Sequence, residues 1–480
     1  MALPSKRRAC TRNRSHMLHS TLLRILISGF ALCLGDLNAK PLNVLFIAID
    51  DLRTELGAYG IDAAHTPNID RLANKGLKFE NAFCQYPVCN ASRSSFLTGL
   101  RPNELGILSN QQILRQEYPD MVTLPQLFRQ NGYFSVGIGK LLHAGMDENG
   151  KRTFFRDDPS FDSFYSPRGK TPQIGQQGEG RKLGDGTVGW ARWLAAEGGD
   201  EAQMDGLNAQ EAVRAIEARS DEPFFIGVGF HKPHDPFIAP KEYFERYPID
   251  EIELASDPQD RTPALPYATP GNYNFHTFED RDRREFKRAY LACTTFVDAQ
   301  VGKVLDALDR HDLWDNTIVI LMSDHGYHLG EHAWWNKVTV FDIGARVPLI
   351  VWAPGTERMG SATDSIVELV DLYPTLAELC ELPEPHTLSG TSLRPILEGE
   401  ATPPRPAYTQ VKRPNIDMGY SVRFGDWRFT QWGAKGEGGY ELYNGAKDAF
   451  GYYNLADHPE YASTRDYLSE LLKRTYKELR

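Results

Sequence analysis

Asn43-Val44-Leu45-Phe46-Ile47-Ala48-Ile49-Asp50-Asp51 sets an unbroken apolar run directly before two carboxylates. A run of that length reads as a strand buried on both faces, with the acids standing at its C-terminal edge. Three later segments repeat the design. Phe134-Ser135-Val136-Gly137-Ile138-Gly139 leads into Lys140 and His143. Phe224-Phe225-Ile226-Gly227-Val228-Gly229-Phe230 leads into His231-Lys232-Pro233-His234, and Ile318-Val319-Ile320-Leu321-Met322 leads into Ser323-Asp324-His325-Gly326. Between them lie helical patterns, clearest over Glu285 to Arg310, where Val297, Val301, Val304, Leu305 and Leu308 share a face. Apolar strands alternating with amphipathic helices specify an α/β fold with a largely parallel sheet. In such sheets ligands sit outside the carboxyl ends of the strands, so four strands deliver their polar residues to one edge.

Working outward, the first 39 residues stand apart. Lys6, Arg7, Arg8, Arg12 and Arg14 precede the apolar run from Ile25 to Leu34, and Leu37-Asn38-Ala39 offers a cleavage point. This reads as a secretory signal peptide, with an uncleaved N-terminal anchor as the competing reading. The expected location is secreted or periplasmic, and no later stretch is apolar enough to span a bilayer. The leader holds six Lys/Arg and one Asp, so its removal takes the net charge from −11 to −16. So acidic a surface argues against nucleic acid as a partner, and an anionic substrate must be gripped by a local cluster of cations. The 480 residues suffice for a large domain and a smaller one. The boundaries expected are 40–400 for the catalytic domain and 401–480 for a C-terminal α+β subdomain, with Gly399 to Pro406 as linker. Cys84, Cys89, Cys293 and Cys380 follow the leader, with no legible disulfide framework and no spacing typical of structural zinc. Residues 147–188 and 250–282 are rich in Gly, Pro and Asp and read as long surface insertions, either shaping the mouth of a site or serving as disordered decoration.

The chemistry begins at Cys89-Asn90-Ala91-Ser92-Arg93-Ser94-Ser95-Phe96-Leu97-Thr98-Gly99. The stretch reads as a loop entering a helix, which puts the Cys near the positive helix end and Arg93 within reach of the same anion. Asp50, Asp51 and Asp324 offer hard oxygen ligands of the kind Ca²⁺ or Mg²⁺ prefers, the alternative being a solvated strand end or helix cap. His143 and His234 follow strands at the active edge, which makes them candidates for acid–base work. His231 and Lys232 either orient their loop or touch substrate. His328 and His332 stand open between contacts and bystanders, and Trp334 and Trp335 between stacking on a sugar and forming wall.

The Cys89 stretch resembles the signature of the type I, formylglycine-dependent sulfatases, Cys-x-Pro/Ala-Ser-Arg followed by Leu-Thr-Gly. The wider spacings are similar to the iduronate-2-sulfatase branch and its bacterial relatives over the chain beyond the leader. The segments that carry this are Ile49-Asp50-Asp51-Leu52-Arg53, Gly139-Lys140-Leu141-Leu142-His143, Gly229-Phe230-His231-Lys232-Pro233-His234 and Ser323 to His332, continuing to Lys337. The resemblance implies an alkaline-phosphatase-like large domain with a mostly parallel central sheet flanked by helices. It implies Ca²⁺ held by Asp50, Asp51, Asp324, His325 and a formylglycine made from Cys89 by a maturation enzyme. Arg93 would stabilise the hydrated aldehyde, while Lys140, His143, His234 and Lys337 surround the sulfate, with His234 as acid and His143 as base. Ala91 departs from the Pro that many members carry, which bears on the maturation system that acts here. The expected substrate is a sulfated oligosaccharide or polysaccharide, with exo-action on a 2-O-sulfated uronic acid as the leading case. The competing expectations are another sulfated glycan, a phosphoester or phosphonate-ester hydrolase of the same superfamily, or a non-catalytic glycan binder.

Overall fold

β1, Asn43–Ile49, has every residue buried. Val44, Phe46 and Ala48 pack into one apolar cluster and Leu45, Ile47 and Ile49 into another. That two-sided burial is what an unbroken apolar strand requires, and it places β1 inside the sheet. The structure is a computed structural model that describes residues 41–146, 149–151, 156–167, 173–356, 358 and 360–480. The leader proposed for residues 1–39 lies outside the described residues, and Leu42–Arg480 form one compact unit.

The other strands of the main sheet are β2 (Leu77–Phe83), β3 (Phe134–Gly139), β4 (Ser163–Tyr165), β5 (Phe224–Phe230), β6 (Thr317–Ser323), β7 (Arg346–Trp352) and β8 (Ser361–Glu368). Their spatial order is β8-β2-β7-β6-β1-β5-β3-β4. β7 runs against β2 and β6, and every other pairing is parallel. The helix Asp280–Arg310 covers the face of Leu45 and Ile47 through Val297, Val301, Val304, Leu305 and Leu308. It starts five residues before the apolar pattern does, because Glu279 and Asp282 form a capping box ahead of it.

A second, antiparallel sheet joins Ala407–Arg413, Asp417–Phe424, Trp427–Trp432 and Gly439–Asn444 in that order. Leu468, Leu471 and Leu472 of the helix Ala462–Thr475 pack on it, in a cluster that also takes in Tyr86 and Ala91. Its first strand is tied to the segment before Cys89: Gln410 N–H donates to Gln85 O at 3.0 Å, and the Thr409 hydroxyl to Cys84 O at 2.8 Å. The small sheet thus buttresses the Cys89 helix. Described parts of both insertions join the fold. Ser163–Tyr165 extends the main sheet, and Gly178–Lys182 pairs with Arg192–Ala196 in a three-stranded sheet that also holds Phe237–Pro240. Phe275 and Phe278 of the second insertion are buried beside Trp334 and Trp335.

Candidate active site

The strand ends are brought into register by the sheet itself. Asp50 N–H donates to Phe230 O at 3.2 Å, Asp324 N–H to Ile49 O at 3.2 Å and Lys140 N–H to Gly229 O at 2.8 Å. Each residue after a strand therefore continues the ladder for one more bond, and its side chain leaves the same edge. The fit depends on glycine. Gly139 has φ +68°, and a Cβ there would lie 2.2 Å from Gly229 O.

Cys89 opens the helix Cys89–Thr98, all of it buried. Its sulfur, one oxygen each of Asp50 and Asp51, and a ring nitrogen of His325 lie within 4.8 Å of one another. Lys337 Nζ donates to Asp51 Oδ1 at 2.6 Å and to the sulfur at 3.2 Å. Lys140 Nζ bonds Asp50 Oδ2 and stands 3.9 Å from the same sulfur, and His325 Nε2 is 3.4 Å from it. Arg93, one helical turn on, donates Nε to Asp324 Oδ2 at 2.9 Å and holds Nη2 at 3.4 Å from Asp50 Oδ1. The second oxygen of Asp324 accepts the Asp51 N–H at 3.2 Å. Asp324 thus stands against the group with both oxygens engaged, outside the closest set of four. Asp51 itself has φ 64°, a left-handed backbone, and its carbonyl accepts the Tyr290 hydroxyl at 2.8 Å.

The electrostatics follow from burying many charges together. Burial and Asp50 push the Cys89 thiol up, but Lys140, Lys337 and His325 outweigh them and bring it below its ordinary value. Burial works against the Asp50 carboxylate too, and there Lys140, His234, Arg93 and Lys337 win, holding it well down. Asp51 is pushed up, by burial foremost and by Asp50. Burial disfavours charge on His325, yet Asp324 raises it to about 9. His143 falls to about 3 through burial and Lys140, and its Nδ1 has no hydrogen-bond partner among the described residues. His234 is lowered by burial, Lys140 and Lys337.

A cavity of about 270 Å³ opens beside this group, lined among others by Lys140, His143, Phe164, His231, His234 and Asp235. His234 Nε2 faces Asp51 Oδ2 at 4.0 Å, and His231 Nδ1 faces Asp50 Oδ2 at 3.8 Å. Asp50, Asp51, Cys89, Arg93, Lys140, His143, His231, His234, Asp324, His325 and Lys337 therefore border one locus. His328 and His332 turn elsewhere: His328 Nε2 meets the Thr339 hydroxyl at 2.7 Å, and His332 Nε2 meets Phe450 O at 2.8 Å. Trp334 and Trp335 are buried wall, and Trp334 Nε1 donates to Lys337 O at 2.9 Å. Asp235, which lines the cavity beside His234, is a residue that the sequence marked by adjacency alone.

The locus combines a buried cysteine, clustered carboxylates and fixed cations. The family described as Sulfatase matches residues 42–382. The chain belongs to the sulfatase family. Residues 330–478 also match the family described as N-sulphoglucosamine sulphohydrolase, C-terminal. The sulfatase is 32% identical to iduronate 2-sulfatase of Mus musculus over 493 residues, covering 85% of this chain and 88% of that protein. It is equally 32% identical to a sulfatase of Formosa agariphila over 464 residues, covering 91% and 87%. Among solved structures, the phosphonate monoester hydrolase of Agrobacterium radiobacter superposes with a TM-score of 0.75 at 22% identity, covering 91% of this chain and 96% of that one. That likeness concerns the fold, which is the alkaline-phosphatase-like architecture expected from the sequence. The sulfatase is a sulfuric ester hydrolase. No helix among its described residues is long and apolar enough to cross a membrane.

Proposed function

We propose that this sulfatase removes sulfate from a carbohydrate, using formylglycine formed from Cys89 and a bound Ca²⁺. The observation that carries the reading is the gathering of Asp50, Asp51, Cys89 and His325 within 4.8 Å, with two lysines on the same sulfur. The donor set fits the ion. Among the described residues Asp50 Oδ1 and Asp51 Oδ2 are buried oxygens without hydrogen-bond partners, Arg93 standing 3.4 Å from the first, and a metal cation would complete both. Carboxylate oxygens are what Ca²⁺ selects. In this reading Asp50, Asp51, residue 89 and His325 hold the ion, and Asp324 is the fifth ligand. When in place, the ion and the formylglycine supply polarisation of the ester and a hydrated aldehyde as nucleophile.

The chain's own residues do the rest. Lys140 and Lys337 present fixed positive charge to the sulfate oxygens. Arg93 holds Asp50 and Asp324 in place through its guanidinium. His234 delivers a proton from Nε2 to the departing alkoxide oxygen, and His143 accepts the proton released when the aldehyde re-forms. Burial and lysines keep both rings neutral, and the arriving anion works in the opposite direction, favouring the protonated acid. The cavity of about 270 Å³ suits one terminal sugar unit, which supports exo-action. Kinship with iduronate 2-sulfatase makes a 2-O-sulfated uronic acid the leading substrate. The signal-like leader supports secreted or periplasmic placement, where sulfated glycans are met.

The test uses protein expressed with a formylglycine-generating enzyme. Mass spectrometry of the Cys89 peptide is expected to show the aldehyde, and paired aryl sulfate and aryl phosphate assays a large preference for sulfate. A panel of defined sulfated oligosaccharides then identifies the sugar. An unmodified thiol from the competent host, or a strong preference for phosphate, overturns the reading.

A further inference from the structure

We propose that Asp205 and Lys232 form a two-part brace that aims His234, so that both are positioning residues for leaving-group protonation. The inference rests on His234 being the proton donor proposed above. Asp205 lies in the first turn of the helix Met204–Arg219 and is buried. Its two oxygens accept the His231 N–H at 2.9 and 3.0 Å, and one of them also takes the Lys232 N–H at 2.7 Å. Asn208 Nδ2 donates to the same carboxylate at 3.1 Å. β5 ends at Phe230, and one side chain from a neighbouring helix captures the next two backbone donors. That fixes where the strand stops and the turn begins.

Lys232 performs the second half. Its ammonium folds over the turn and donates to His234 O at 2.8 Å and Pro236 O at 2.6 Å. The backbone is thereby held on both sides of Asp235. His234 Nδ1 lies 2.5 Å from Asp235 O, which makes Nδ1–H the donor and leaves Nε2 as the nitrogen that faces Asp51. The cavity wall includes Met204 and Asn208 from this helix, and among the described residues neither Asp205 nor Lys232 lines it. Their effect on turnover therefore passes through the turn. A charged brace is suited to the task, because hydrogen bonds to ionised groups are shorter and stronger than neutral ones.

A misaimed acid has a signature that general loss of structure lacks. Sugar sulfates leave as poor alkoxides and need the proton, whereas a nitrocatechol leaves readily without it. Asp205→Asn, Lys232→Met and Lys232→Arg are compared with wild type at matched formylglycine content and melting temperature. For Asp205→Asn and Lys232→Met, kcat on an alkyl sugar sulfate is expected to fall roughly 100-fold, with KM little changed and kcat on 4-nitrocatechol sulfate within about threefold. Lys232→Arg is expected to recover most of the loss. Equal losses on both substrates, or no loss on either, overturn the brace while leaving the functional reading intact. If Asp205→Asn does not fold, Lys232→Met decides between these results by itself. Wild-type protein that carries formylglycine yet cleaves neither sulfate overturns the functional reading, and the brace with it.

Discussion

Lys337 touches both the sulfur of Cys89 and a carboxylate oxygen of Asp51, and such doubled contacts are typical of this site. Each charge is buried, so each is affordable only because its neighbours oppose it. Removing the proposed nucleophile is the mildest change available, since Cys89 is small and fills little space. Cys89→Ala is expected to abolish sulfate release, reducing turnover by more than roughly 10⁴-fold while the melting temperature stays near wild type. Near-normal turnover in a sulfate-release assay would refute the assigned nucleophile. Gly139 is the opposite kind of residue, with no chemistry and no room. A Cβ would meet Gly229 O at 2.2 Å in a left-handed backbone, so Gly139→Ala must push apart the ends that carry Lys140 and His231. The expected cost is about 1–3 kcal/mol of stability and at least roughly tenfold in kcat, read by denaturant titration and steady-state kinetics. A variant with unchanged kcat would show that Lys140 tolerates displacement.

At the scale of elements, the C-terminal sheet is fastened to the short helix Asp342–Ala345 that follows Lys337. Asp342 bonds Arg428 and also Arg423, whose Nε is 3.2 Å away. Burial works against the charge on Arg428, so Asp342 is what keeps that guanidinium compensated. Asp342→Ala leaves buried positive charge unpaired and is expected to cost about 3–5 kcal/mol, measured by urea unfolding. Burial also opposes the Asp342 carboxylate, yet the two arginines hold it below its ordinary value. A depressed carboxyl contributes fully above its unfolded value of about 3.9, and the contribution disappears as pH falls through the folded value. Acid below about pH 4 is therefore expected to loosen this sheet, followed through the fluorescence of Trp427 and Trp432. An acid transition identical in wild type and Asp342→Asn would remove this pair from the explanation. The elements themselves were unevenly legible. β1, β5 and β6 announce themselves because both faces are buried and no polar residue breaks the apolar run, and in β3 only Ser135 breaks it. Gly178–Lys182 and Ala407–Arg413 do not, because a polar segment becomes a strand only when a partner edge is present.

For the molecule as a whole, the proposed Ca²⁺ and the fold should be coupled. A cation bound only by the folded state adds stability set by its concentration over its dissociation constant, about 2.7 kcal/mol at a hundredfold excess. Dialysis against EGTA is expected to lower the melting temperature, and Ca²⁺ to restore it. Indifference to both would count against the assigned ligands. The amino-acid sequence alone determined which strands are central and which residues stand at their ends, since uninterrupted burial and chemical type are local properties of the chain. It likewise carried the Cys89 to Gly99 signature, which is contiguous. Only the tertiary structure decided that Asp324 meets Asp51 N–H and Arg93, that His332 packs away from the centre, and that Asp205 holds the His231 turn. Those outcomes join residues tens to hundreds of positions apart, and hydrogen-bond geometry across such separations is set by how sheets and helices pack, for which no local pattern of residues codes.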